Sequence, residues 1–221
     1  MGLPFQPTLL FLYTIVRKPH NHMFTENEVA MMIQSEAILE IVEGLKKEFL
    51  GKEAPYMEIQ NHDFLSLILL VPAIGVAYAN ANISLKEELN LNKKARKLSM
   101  GGYFIKKDPV IAGMQFLIKK FEPWEEQFLQ SLKKIMFRLF DKEALVNAPS
   151  APDASFVRQV LNAPYIFIRF LSCFFLNNEE DIVRPNKMQA VELDKVKSIG
   201  EKLGLSDIPL FLEFCNTFST K

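Results

Sequence analysis

Between Phe64 and Leu85 the chain runs 22 residues without a charge, and no other feature limits its fold so strongly. A stretch this long and apolar either crosses a bilayer or fills the middle of a globular core. Pro72 and Gly75 interrupt it, and Asn80, Asn82 and Ser84 make its last third polar. The other apolar runs are shorter or carry Arg169, which weakens the membrane reading further. The expectation is a buried core helix over Phe64 to Ala79, broken or bent near Pro72; a membrane segment over 64–85 is the alternative.

With 221 residues the chain is long enough to bury most of its apolar surface as one domain. Hydrophobic residues at 49% and charged ones at 24% place it among globular chains rather than disordered ones. Cys173 and Cys215 lie in phenylalanine- and leucine-rich surroundings and read as reduced core residues. Arg17 and Lys18 follow the first apolar stretch instead of preceding it, and Gln6 stands where a myristoylation motif wants Ser or Thr. A cytoplasmic location, peripheral to a membrane at most, is the expectation.

Helix signals dominate. Thr25 followed by Glu28 and Ser84 followed by Glu87 are capping boxes, and Asn186 with Gln189 is a looser one. From Thr25 the residues Val29, Met32, Ile33, Ala37, Leu39, Val42, Leu45 and Phe49 predict one helix of about 24 residues, with Gly51 as its left-handed stop. A second is expected from Ser84 through Leu85, Leu89 and Leu98 to Gly101 and Gly102, and a third from Asn186 to Gly204. Further helices open at Asp108-Pro109 and at Glu122-Pro123-Trp124, the latter running to about Phe140. Each capped helix follows an apolar segment and a polar loop, and no turn signal separates two alternating strands. The fold class predicted is all-α: a single domain over 1–221 built of helical hairpins. The loop 147–153 is the one candidate boundary between two lobes.

Two stretches, Ala77 to Glu88 and Val196 to Asp207, follow a pattern of apolar helix, polar loop, capped helix and terminal glycine. In this they resemble the tellurite-resistance TerB-like helical family. The resemblance implies an all-helical module, with metal binding through acidic loop residues and stress responses near membranes. Asn80 and Asn82 stand where acidic and glycine residues belong in that pattern, which puts a metal role there in doubt.

Chemistry-bearing motifs are few. His20 and His22 read as a solvated loop, and His62 has no Glu three residues before it, so the helical di-iron motif fails. Glu36, Glu40 and Glu43 read as surface pairing with Lys46 and Lys47. The loop through Glu179, Glu180 and Asp181 begins like a calcium loop, but Ile182 replaces its glycine and Met188 its bidentate glutamate. These three acids and His62 remain weak metal candidates. Neither a nucleophile elbow nor a phosphate loop is present; no cofactor is implied, no catalytic residue is assigned, and enzyme activity is left open.

Charge is segregated although the total is zero. Residues 93–138 hold 11 basic and 4 acidic side chains, 11 − 4 = +7, between flanks that are both net negative. Lys93, Lys94, Arg96, Lys97, Lys106 and Lys107 are the expected partner-binding residues, and an acidic protein or an anionic lipid surface the expected partner. Nucleic acid ranks last, with Trp124 and its neighbouring phenylalanines read as core. The leading expectation is a non-enzymatic interaction module. A carrier or sensor holding an apolar ligand among Phe167, Phe170, Phe174, Phe175, Phe211, Phe214 and Phe218 is the alternative; an enzyme or metal-binding protein whose site forms only in three dimensions is the third.

Overall fold

The computed structural model describes residues 24–101, 107–147, 156–177, 182 and 187–220. Among these, eleven helices follow one another: α1 Glu26–Met32, α2 Glu36–Glu53, α3 Asn61–Ala77, α4 Leu85–Leu98, α5 Pro109–Lys119, α6 Phe121–Leu139, α7 Lys142–Val146, α8 Phe156–Asn162, α9 Tyr165–Phe175, α10 Ala190–Leu203 and α11 Pro209–Asn216. The only β pairing among the described residues is an isolated bridge between Met188 and Thr220. The fold is all-α.

The uncharged run becomes the central helix. α3 packs against α1, α2, α4, α5, α6, α9 and α10, and every residue from His62 to Gly75 is buried. The helix continues through Pro72 without a break. Its charge-free sequence is therefore spent on protein contacts, at about 1.5–3 kcal/mol for each large apolar side chain buried. The run does not stay helical to Leu85: α3 ends at Ala77, Ala81 takes φ +60°, and Ser84 caps the next helix. Among the described residues no helix is long and apolar enough to cross a membrane.

The expected helix from Thr25 is two helices. Thr25 and Glu28 form the predicted capping box, but the backbone breaks at Ile33-Gln34-Ser35 and α2 restarts with Ser35 at its N-cap. The break shifts the buried stripe to Ile38, Val42, Leu45 and Phe49, leaving Ala37 and Leu39 half-buried. Gly51 lies inside α2, and the stop comes at Ala54. Ala54 precedes Pro55, whose ring disfavours helical backbone at the residue before it.

At α10 the N-cap is Gln189, whose N–H donates to Glu192 Oε2 at 2.7 Å. Asn186, the expected cap, lies outside the described residues. Gly204 supplies the predicted left-handed stop at φ +74°. α5 begins as expected, with Asp108 accepting from Val110 N–H at 2.9 Å. α6 starts at Phe121 and ends at Leu139, close to prediction. The helices α3 and α4 make the predicted hairpin, whereas α9 and α10 each lie against α3. His20, His22, residues 148–153 of the loop 147–153 and the acids Glu179, Glu180 and Asp181 fall outside the described residues.

Candidate functional site

Helix α4 has two faces with different tasks. Leu91, Ala95 and Leu98 point into the core, and Lys94, three residues from Leu91 and four from Leu98, is buried with them. Lys94 Nζ donates to the Cys173 carbonyl at 2.9 Å. That oxygen belongs to the last turn of α9, where carbonyls lack intrahelical donors and the helix dipole favours a cation. Lys94 is thus withdrawn from the surface on which the charge pattern had put it. Its periodicity with Leu91 and Leu98 carried that information, and its pairing with Lys93 obscured it.

Lys93, Arg96 and Lys97 are exposed on the opposite side. Leu85 and Leu89, expected in the core stripe, stand with them: the positions 85, 89, 93 and 96 fall on one face at helical spacing, and the two leucines are 73% and 53% exposed. Exposed Met100 follows the end of the helix. Seven large apolar side chains are notably exposed among the described residues, and these three lie within one 16-residue stretch. No Asp or Glu occurs between Glu88 and Asp108. Lys107 is exposed ahead of α5, and Lys106 lies outside the described residues.

Elsewhere the basic stretch is partly neutralised. Lys120 pairs with Glu53 at 3.5 Å, and Glu53 also accepts from Trp124 Nε1 at 3.0 Å, the contact that chiefly lowers its pKa. Trp124 is buried, as expected of a core residue. The ion pairs among the described residues include none by Lys93, Arg96 or Lys97.

The far end of α4 is pinned by α3. Ser66 Oγ donates to the Leu98 carbonyl at 2.7 Å, and Asp63 Oδ1 accepts from Met100 N–H at 3.1 Å. His62 beside them has Nδ1 at 3.2 Å from Asp63 Oδ1 and Nε2 at 3.0 Å from the Glu26 carbonyl. Burial disfavours the imidazolium, but the contacts with Asp63 and with Glu26 outweigh it and raise the pKa above the ordinary histidine value. Both ring nitrogens are thus engaged, and among the described residues no group of three or more His, Cys, Asp or Glu is placed to hold a metal.

A cleft of about 780 Å³ opens between the ends of α3 and α9 and the starts of α4 and α10. Val76, Phe175 and Phe218 give it apolar walls, and buried Lys94 lines it as well. Its rim carries the caps of two helices, where Glu87 accepts from Ser84 N–H and Glu192 from Gln189 N–H. Asn80, on the loop before α4, donates to Gln189 at 3.3 Å. All seven phenylalanines considered for ligand binding are buried, and several stack on one another, as in the pairs Phe170–Phe174 and Phe214–Phe218.

No family model, curated protein or solved structure matches the chain.

Proposed function

We propose that the protein is an interaction module that docks on an anionic membrane surface through the outward face of α4. The observation that carries this reading is the row Leu85, Leu89, Lys93 and Arg96, with Lys97 beside it, exposed on one helix that has no acidic residue after Glu88. The face is the convex side of a helix, which a fluid bilayer accommodates without a preformed groove. Cations near an anionic leaflet contribute about 1 kcal/mol each, and the leucines add apolar contact at the headgroup boundary. Binding of a helix at the interface scales with its buried apolar area plus its attraction to anionic lipid, and this face offers both.

Flotation of the full chain with phosphatidylserine-containing vesicles tests the proposal. Binding is expected at low salt, falling as salt rises, and absent with phosphatidylcholine alone. The triple substitution Lys93→Gln, Arg96→Gln, Lys97→Gln should weaken it by roughly two orders of magnitude, with the melting temperature unmoved. Leu85→Ser with Leu89→Ser should weaken it too. Unchanged flotation of the triple variant would overturn the reading. So would salt-sensitive binding to an acidic polypeptide with none to vesicles, which would make the partner a protein.

A further inference from the structure

We infer that His62 is a proton-operated latch: as an imidazolium it ties α1 to α3, and when it gives its proton up to solvent the tie to α1 is released. The ring is buried in the first turn of α3, with Nε2 3.0 Å from the Glu26 carbonyl on α1 and Nδ1 3.2 Å from Asp63 Oδ1. A carbonyl and a carboxylate only accept hydrogen bonds, and a neutral imidazole has a single N–H to give. Only the imidazolium donates to both partners at once.

The same arrangement decides which tie is lost. A carboxylate is a stronger acceptor than a carbonyl, so the remaining proton stays on Nδ1. Nε2 then turns a lone pair on the Glu26 carbonyl, a buried contact with no donor in it. Helix α1 can respond as a unit, since it is seven residues long and the break at Ile33-Gln34-Ser35 separates it from α2. Its bond from Glu28 to Arg169 on α9 lies apart from this junction.

The charges acting on the ring are Asp63 from α3 and Glu26 from α1, both acidic. From beyond the end of α4 comes the Met100 N–H, which shares Asp63 Oδ1 at 3.1 Å, while Arg96 and Lys97 of that helix are exposed. Burial opposes the charged ring, but the bonds to Asp63 and Glu26 and the two acidic charges outweigh it. The latch is therefore closed below about pH 6.5 and opens as pH rises through the higher value of the folded protein. It does not rest on the membrane reading, because the end of α4 keeps its bonds to Asp63 and Ser66 in both states.

Two measurements on the full chain test the latch. Long-range proton–nitrogen NMR spectra report the state of each of the three histidine rings, and His62→Gln identifies which signal is His62. An imidazolium is expected at about pH 6 and a neutral ring protonated on Nδ1 at about pH 9. Hydrogen exchange, corrected for the intrinsic effect of pH, should show protection of Glu26–Met32 falling severalfold over that range while Glu36–Glu53 holds. His62→Gln should abolish the pH step in α1. Asp63→Asn should move the His62 midpoint and the α1 step down in pH together. A ring already neutral at about pH 6, or protonated on Nε2 at about pH 9, would overturn the inference. So would an α1 whose protection does not change, or changes equally in His62→Gln. The wild-type spectra and exchange decide the matter even where Asp63→Asn fails to fold.

Discussion

The carboxylate of Glu28 that closes the capping box of α1 also neutralises Arg169, 141 residues further along the chain. Oε2 accepts from Thr25 N–H at 2.7 Å and Thr25 Oγ1 at 3.0 Å while Arg169 Nη2 donates to the same atom. Arg169 is buried in α9, against the rings of Phe24 and Tyr165. Removing one member of a buried pair costs about 3–5 kcal/mol, because the other charge is left uncompensated. Glu28→Ala removes the carboxylate that faces the guanidinium and half of a cap. Arg169→Met leaves Glu28 capping Thr25 and keeps apolar volume. Thermal melts are expected to rank Glu28→Ala as clearly the less stable; the reverse order would mean that the pair is not the source of the cost.

The raised pKa of His62 carries a pH dependence. The folded protein holds this proton more tightly than the unfolded chain, whose value is near 6.5. The contribution is therefore complete below about pH 6.5 and is lost as pH rises through the higher folded value. Melting temperatures recorded between about pH 6 and 8.5 should fall for the wild type and stay nearly level for His62→Gln. Parallel slopes would assign the dependence to other groups.

Two glycines should respond to alanine in opposite directions. At Gly200 an added Cβ would stand 2.1 Å from Phe211 Cζ, so α10 and α11 approach closely only because that methyl is missing. Gly200→Ala should destabilise by about 1–3 kcal/mol. Gly44, exposed in the interior of α2, meets nothing within 4 Å, and Gly44→Ala should stabilise by about 0.5–1 kcal/mol. Urea midpoints of the two variants check both signs.

Cys173 should be inert while the protein is folded. Burial pushes its thiol up to about 11, with Lys94 and Arg169 pulling the other way, and the reactive thiolate is scarce at neutral pH. Iodoacetamide should label this position only after denaturant is added. Labelling at native conditions, at a rate near that of a free thiol, would contradict the packing around α9.

Much of this architecture was legible in the residues, and the misses share a cause. Thr25 with Glu28, Ser84 with Glu87, Asp108 with Pro109 and Gly204 mark helix ends through bonds between near neighbours, and such bonds are written locally in sequence. The orientation of α4 was misread because Leu85 and Leu89 are leucines, and leucine suggests core. The core is instead met by Leu91, Ala95 and Leu98, since the direction of a helix is set by what it packs against. Ser35 ended α1's continuation because the buried stripe had to step to Ile38 to meet α3 and α6, a demand that arises only in three dimensions. The cleft was equally hidden: its lining comes from four helices and from residues outside them, spread from Ala73 to Phe218.

The position of α3 has a consequence for synthesis. Its apolar residues leave the ribosome before two of the helices that cover them, α9 and α10, which lie more than 80 residues downstream. At about 5–20 residues per second the newborn chain carries this charge-free segment without its α9 and α10 cover for on the order of ten seconds. Throughout that interval the segment most able to find a wrong partner is the one on which the finished molecule is built, so the nascent chain should depend on holding factors that the mature fold has no use for.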